Sequence, residues 1–281
     1  MLRRVHEDDA LAESIQRVPV VRVENGGAHA QRDAVAREEP LEIQIGGTPL
    51  AVVMRTPGHD ADLALGFLSG ERVIESIEDV LSVRHCREVR SPEAADNVVR
   101  VALAEGVSVD WEALRRNLYA SSSCGVCGRA TIENALACAP PISDPARFRA
   151  TLFPPLPDRL AAAQPGFAHT GGLHAAAVFD PSGALLAVRE DVGRHNAVDK
   201  VFGLCLREKR WPLGGHGLLV SGRISFEIVQ KALAARVPLI AGVSAPTSLA
   251  IALAERGGIA LIGFLRGGSF NVYGNVARVT V

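Results

Sequence analysis

The chain has 281 residues, 48% of them hydrophobic and 22% charged, and this balance predicts an ordinary soluble protein of one or two domains. A formal net charge of −1 gives no overall electrostatic basis for binding nucleic acid, and the apolar runs are too short to cross a bilayer, so neither partner is expected. Glu7, Asp8 and Asp9 stand where a signal peptide needs an apolar core, and we expect a cytoplasmic protein.

The N-terminal half of the sequence predicts a small β/α unit. Residues 22–39 are polar and lack periodicity, so we expect a mobile N-terminal segment over residues 1–39. An alternating pattern around Gly46-Gly47 then predicts a β-hairpin. A helix is predicted within residues 57–74, and a strand within 97–103.

Six of the 16 prolines lie between residues 140 and 157, a composition typical of a linker. The sequence therefore predicts an N-terminal subdomain over residues 40–139, which ends in a cysteine loop at 121–130. A C-terminal domain over residues 158–281 follows the linker.

The C-terminal domain alternates short apolar strands with amphipathic helices, which predicts βαβ units and a mostly parallel sheet covered on both faces. Three strands end in "SGR" (221–223), "SAPT" (244–247) and "FLRGGS" (264–269). Ligands bind preferentially at the carboxyl ends of parallel strands, and hydroxyls, glycines and arginines beside helix N-termini suit a phosphate-bearing ligand.

Two groups of side chains are candidates for binding that ligand. Phosphate contacts are expected from Arg223 and Arg266, and hydroxyl donors from Ser221, Ser244 and Thr247. Further contacts are expected from Arg194, His195 and Asn196 in "DVGRHNAVDK". The plainer alternatives are helix capping for the hydroxyl groups and exposed ion pairs on one helix for the second group.

The motif "SSSCGVCGRA" holds two thiols, Cys124 and Cys127. A structural zinc site needs four ligands, and the chain has no second CxxC, so no metal is expected. A zinc deaminase is also excluded, because Ala176 stands two residues after His174 where that chemistry needs an acid. Thiol-disulfide exchange and carriage of sulfur as a persulfide both stay open, and the glycine and serine content is typical of an exposed loop.

Seven segments, taken together and in this order, resemble the FdhD family, the formate dehydrogenase accessory sulfurtransferases. They are "RTPGHDADLALGFL" (55–68), "SSCGVCG" (122–128), "TGGLHAAAVF" (170–179), "EDVGRHNAVDKVFG" (190–203), "LLVSGRISFEIVQKA" (218–232), "VSAPTSLAIALA" (243–254) and "GFLRGGSFNVYG" (263–274).

This resemblance implies a sulfur carrier that accepts persulfide sulfur from an IscS-type cysteine desulfurase on Cys124 or Cys127. It also implies delivery of the sulfur to the bis-molybdopterin guanine dinucleotide cofactor of formate dehydrogenase, with guanosine diphosphate (GDP) as a mimic. A homodimer and a cytidine deaminase-like three-layer α/β/α domain without zinc are further implied. The cofactor site of the family maps to Phe264, Leu265, Arg266, Gly267, Gly268 and Ser269. A thiol-disulfide oxidoreductase and a non-catalytic cofactor chaperone are the alternatives.

Overall fold

The structure, a computed structural model, describes residues 7–86, 96–112, 114 and 128–281. Its N-terminal elements are α1 (Glu7–Ser14), β1 (Ile15–Glu24), β2 (Gly27–Ala36), β3 (Glu39–Ile45), β4 (Thr48–Arg55), α2 (Asp60–Gly70), β5 (Val80–His85) and β6 (Val98–Leu103). Its C-terminal elements are α3 (Gly128–Cys138), β7 (Phe148–Arg149), α4 (Leu156–Ala162), α5 (Pro165–Thr170), β8 (His174–Phe179), β9 (Leu185–Asp191), α6 (Arg194–Arg207), β10 (Gly217–Val220), α7 (Phe226–Ala234), β11 (Leu239–Gly242), α8 (Ser248–Gly257), β12 (Ala260–Arg266), β13 (Ser269–Gly274) and β14 (Val279–Thr280).

The segment before residue 39 is more regular than its sequence pattern indicates. Strands β1 and β2 form an antiparallel hairpin in which Ile15 pairs with Ala36 and Glu24 with Gly27. Most of this hairpin is exposed on both faces, and the side chains of Val21 and Val23 are 67% and 70% exposed. Since neither face is buried along its length, the strands carry no hydrophobic alternation that would reveal them in the sequence.

A four-stranded sheet in the order β4-β3-β6-β5 forms the next layer. The predicted hairpin around Gly46-Gly47 is confirmed: it joins β3 to β4, and both glycines have positive φ, at 59° and 99°. Positive φ at both turn residues matches the twist of the strands and favours glycine there. The inward side chains of this sheet, such as Leu41 and Ile43, pack with Leu63 of α2 in one apolar core.

The second sheet has six strands in the order β13-β12-β11-β10-β8-β9. The predicted parallel pairing holds for β10, β11 and β12, whereas the pairs β12–β13, β10–β8 and β8–β9 are antiparallel. The fold is therefore α/β with a mixed sheet. Helices α6, α7 and α8 cover one face, and α4 with the segment before it covers the other, so the sheet has a core on each side.

The proline-rich stretch 140–157 packs as part of this second unit. Its aromatic side chains Phe148 and Phe153 are fully buried against the sheet, and β7 pairs in parallel with β14 at the end of the chain. The prolines indicate a linker, but the apolar residues between them supply the cover for one face of the sheet.

Two glycines allow the two units to meet. Gly66 of α2 lies against α6 so closely that a Cβ atom there would be 1.8 Å from the carbonyl oxygen of Asp199. The contact is reciprocal, because a Cβ on Gly203 of α6 would be 1.8 Å from the carbonyl oxygen of Asp62. Helices this close can cross only where neither has a side chain, so the glycines fix the position of α2 on α6.

Candidate functional site

The carboxyl ends of β10, β11 and β12 form the predicted site edge, and antiparallel pairing adds residues that the sequence pattern did not place there. Val220, the last residue of β10, pairs with Ala176 of β8, so the beginning of β8 lies at the same edge. His174 at that beginning is opposite Asp191, the end of β9. The edge therefore gains a histidine from β8 and a carboxylate from β9.

Four residues converge directly beyond β10. Oγ of Ser221 lies 3.4 Å from Nδ1 of His174 and accepts a hydrogen bond of 3.0 Å from the backbone N–H of Ala175. A Cβ on Gly222 would be 3.3 Å from the His174 ring and 3.5 Å from Cδ of Arg194, so these side chains lie over the glycine. Nε of Arg194 is buried and has no hydrogen-bond partner in the described part of the chain. This corner therefore offers a guanidinium N–H to a ligand.

The histidines of this corner are held neutral. Burial, and then the charge of Arg194, lower the pKa of His174. The same two causes lower the pKa of His195 to about 4. Nε2 of His195 lies 3.1 Å from Oγ of Ser225 and 3.7 Å from a carboxylate oxygen of Glu227. At neutral pH the positive charge of the corner thus comes from Arg194, while the imidazoles contribute hydrogen bonds.

Asn196 has a different role from its two neighbours on α6. Its Nδ2 donates to the carbonyl oxygen of Met54 at 2.7 Å and to Oδ1 of Asp191 at 3.0 Å. Both amide hydrogens are therefore used within the protein, and only the side-chain oxygen is left for a ligand.

The three predicted strand ends are linked by backbone hydrogen bonds. The N–H of Ile224 donates to the carbonyl of Ala245, and the N–H of Thr247 donates to the carbonyl of Ile224. The N–H of Phe264 donates to the carbonyl of Ser244. Segments 221–223, 244–247 and 264–269 thus lie along one continuous edge, as the sequence predicts, and Ile224, directly after the first segment, links it to the second. Thr247 also caps α8, its Oγ1 accepting from the N–H of Ala250 at 3.3 Å.

The hairpin after β12 carries an exposed aromatic ring and an arginine. Phe264 is 37% exposed and has a φ of 56°, a strained backbone conformation for an aromatic residue. The guanidinium of Arg266 lies 5.9 Å from the centre of the Phe264 ring. Gly267 and Gly268 have positive φ and open space around them. By contrast, the side chain of Leu265 is fully buried in the core.

The other sequence candidates are dispersed. Arg223 is exposed, and Ser269 donates from Oγ to the carbonyl of Arg266 at 3.3 Å. Cys124 and Cys127 lie outside the described residues. Cys205 is buried in α6, where burial raises the pKa of its thiol to about 11, so it is a core residue. Cys86 is buried at the end of β5, and Nη2 of Arg100 lies 3.3 Å from its Sγ.

His59 lies at the junction of α2 and α6 rather than at the site edge. Its φ of 58° is left-handed, and its Nδ1 is 3.9 Å from Oδ2 of Asp62. That buried carboxylate also accepts hydrogen bonds from Arg189 and Arg207. Burial, reinforced by the nearby cations, lowers the pKa of His59 to about 3.

The fold and this edge define an α/β protein with an open, glycine-rich and arginine-bearing edge of the kind that suits phosphate-bearing ligands. Among the residues that the structure describes, every helix is too short or too polar to span a bilayer. A profile of the FdhD/NarQ family matches residues 36–280, and the chain belongs to that family.

Curated relatives match over nearly the whole chain. The sulfur carrier protein FdhD of Mycobacterium tuberculosis is 51% identical over 254 residues, covering 88% of this chain and 92% of its own. The protein of the same name from Streptomyces coelicolor is 47% identical over 270 residues, covering 95% and 96%. A crystal structure from Desulfotalea psychrophila, provisionally described as a formate dehydrogenase accessory protein, covers 95% of this chain and 99% of its own with a TM-score of 0.73 and 22% identity. That structure supports the fold.

Proposed function

We propose that this protein is a sulfur carrier of formate dehydrogenase maturation. It takes sulfur from an IscS-type cysteine desulfurase and delivers it to the bis-molybdopterin guanine dinucleotide cofactor, which it binds as substrate. The working form is a homodimer. Membership of the FdhD/NarQ family, with relatives about half identical that are named sulfur carriers, is the observation that carries the proposal.

The sulfur chemistry uses Cys124 and Cys127. The thiolate of one cysteine attacks the terminal sulfur of the donor persulfide, a new S–S bond forms, and the donor leaves as a thiolate. Once the cofactor is bound, the second cysteine attacks the inner sulfur of the carrier persulfide. A disulfide forms between the two cysteines and hydrosulfide leaves. The hydrosulfide replaces an oxygen ligand of the molybdenum, and that oxygen departs as hydroxide. A cellular dithiol returns the pair to its reduced state.

The site edge supplies the binding half of the function. Arg194 and Arg266 offer guanidinium groups for the phosphates of the dinucleotide, because a guanidinium pairs well with phosphate oxygens. The exposed ring of Phe264 offers a stacking surface for a guanine base. Gly267 and Gly268 let the backbone approach the ligand without a side chain in the way.

Sulfur loading tests the first half of the proposal. The purified chain is incubated with a cysteine desulfurase and cysteine, and its intact mass is measured without reductant. The wild-type chain is expected to gain one sulfur atom, and Cys124→Ala/Cys127→Ala is expected to gain none. If the double variant still gains the mass of a sulfur atom, the assignment is contradicted, since one of the remaining cysteines, Cys86, Cys138 or Cys205, would then carry the sulfur. The single variants identify which of the two thiols is loaded.

Calorimetry with GDP tests the second half. Arg266→Ala is expected to bind about tenfold more weakly or worse, because a hydrogen bond to a charged group is lost. Arg256→Ala is the matched control. Arg256 is an exposed arginine near the C-terminal end of α8, whereas the N-terminal end of that helix lies at the site edge, and it pairs with Glu133. Equal affinity of Arg266→Ala and the wild-type chain would remove Arg266 from the site.

A further inference from the structure

Asp191 is a fully buried carboxylate that accepts four hydrogen bonds at the end of β9. Its Oδ1 accepts from the N–H of Gly193 at 2.8 Å and from Nδ2 of Asn196 at 3.0 Å. Its Oδ2 accepts from the N–H of Thr56 at 3.1 Å and from Nζ of Lys200, 2.7 Å away. One oxygen therefore faces the beginning of α6, and the other faces the loop after β4 together with Lys200.

The loop after β4 belongs to the N-terminal unit, and further contacts hold it in this place. Nζ of Lys200 donates to the carbonyl of Thr56 at 2.7 Å, and Oγ1 of Thr56 accepts from the N–H of Val192 at 3.1 Å. The carbonyl of Met54 accepts from Asn196. Residues 54–56 are thus fixed to residues 191–200 by direct hydrogen bonds, in which the side chains of Thr56, Asp191 and Lys200 are buried.

These contacts determine where the first turn of α6 lies. Gly193 begins the helix without a side-chain cap, so Asp191 and the loop after β4 fix the direction in which the chain enters it. Arg194 and His195 are the next two residues, and they form the corner beside Ser221. The N-terminal unit therefore controls the geometry of the candidate site.

We propose that Asp191 is a positioning residue that couples the N-terminal unit to the cofactor-binding edge. The inference rests on the proposed function for its ligand, but the coupling itself concerns only the protein. Asp191 sets the orientation of Arg194 and His195 and takes no part in sulfur transfer. Loss of its bonds to the N-terminal loop loosens the first turn of α6 and weakens nucleotide binding.

A second buried ion pair on the same helix provides the matched control. Asp199 is 2% exposed, and Nζ of Lys231 lies 2.8 and 3.0 Å from its two oxygens. This pair joins α6 to α7 within the C-terminal unit, so loss of its charge is expected to lower stability without releasing the first turn of α6.

The experiment compares Asp191→Asn with Asp199→Asn in the full-length protein. Asparagine at 191 keeps one acceptor oxygen but turns an amide toward the N–H of Thr56 and toward Lys200. Amide hydrogen exchange of residues 193–197 is expected to be about tenfold faster in Asp191→Asn, and GDP binding about tenfold weaker, a factor that corresponds to about 1.4 kcal/mol. Asp199→Asn is expected to change neither quantity, although its melting temperature falls too.

Thr56→Val and Thr56→Ser are a second pair of variants in case Asp191→Asn does not fold. Valine removes the acceptor for the N–H of Val192, whereas serine keeps it. Amide hydrogen exchange at residues 193–197 should therefore be faster in Thr56→Val and should stay at the wild-type rate in Thr56→Ser. Equal exchange in the Asp191 and Asp199 variants, or no difference between valine and serine at 56, would overturn the inference. Faster exchange in a chain that does not bind GDP even as wild type would retain the coupling and reject the nucleotide site.

Discussion

The crossing of α2 and α6 is the contact on which the relative position of the two units depends, and Gly66→Ala tests it. A Cβ at this position would lie 1.8 Å from the carbonyl oxygen of Asp199, whereas ordinary contact begins near 3.4 Å. The helices must therefore separate by about 1.6 Å at their closest point, because the clashing atom belongs to the backbone and cannot turn aside.

The cost follows from this displacement. Overpacking of a core costs about 1 to 3 kcal/mol or more, and this site is at the severe end because Gly203 makes the reciprocal contact. Alanine has a better helix propensity than glycine, and this offsets up to about 1 kcal/mol of the cost. A net loss of about 2 kcal/mol lowers the melting temperature of a chain of this size by roughly 4 to 8 °C.

Thermal unfolding followed by circular dichroism measures the effect, with Gly70→Ala as the control. Gly70 ends the same helix, and a Cβ there would meet the flexible end of Lys231, with Nζ at 3.1 Å. Gly70→Ala should melt close to the wild-type temperature. If Gly66→Ala also melts there, the close crossing is not a feature of the folded protein, and the position of α2 on α6 described above is wrong.

Two further predictions concern strain and pH. Phe264 has a φ of 56°, which is strained for alanine but not for glycine, so Phe264→Gly should be more stable than Phe264→Ala by up to about 1 kcal/mol. Both variants should bind GDP more weakly than the wild type, because the aromatic ring is lost. Equal stability of the two variants, or wild-type affinity in either, would contradict this. Burial lowers the pKa of His59 from 6.5 to about 3. Between these two values the imidazole is protonated in the unfolded chain and neutral in the folded chain, so the free energy of unfolding should fall as the pH drops from 6.5 toward 3. Asparagine tolerates a positive φ and does not titrate, so the melting temperature of His59→Asn should depend less on pH over that range, and parallel curves for the two proteins would contradict the prediction.

The sequence predicts the C-terminal strand ends well because its signals there are local. Short apolar runs separated by amphipathic helices predict the parallel strands β10, β11 and β12, and their carboxyl ends must then meet at one edge. Segments 221–223, 244–247 and 264–269 do meet there.

The sequence does not reveal the partners of that edge. A strand buried on both faces, such as β8, has the same apolar pattern in parallel and antiparallel pairing, so His174 could not be assigned to the edge. The amide of Asn196 is occupied by the carbonyl of Met54, 142 residues earlier in the chain, a contact with no sequence signal. Similarly, the prolines of 140–157 indicate a linker, and no sequence pattern there indicates that the side chains of Phe148 and Phe153 are buried in a core.

Complementation is the measurement that tests the central proposal most directly. The wild-type chain and Cys124→Ala/Cys127→Ala are expressed at equal levels in cells that lack their own family member, and formate dehydrogenase activity is assayed. The wild-type chain is expected to restore activity, and the double variant is expected to restore none while it binds GDP with unchanged affinity. Restoration by the double variant would contradict the sulfur-carrier function and make the protein a chaperone of the cofactor.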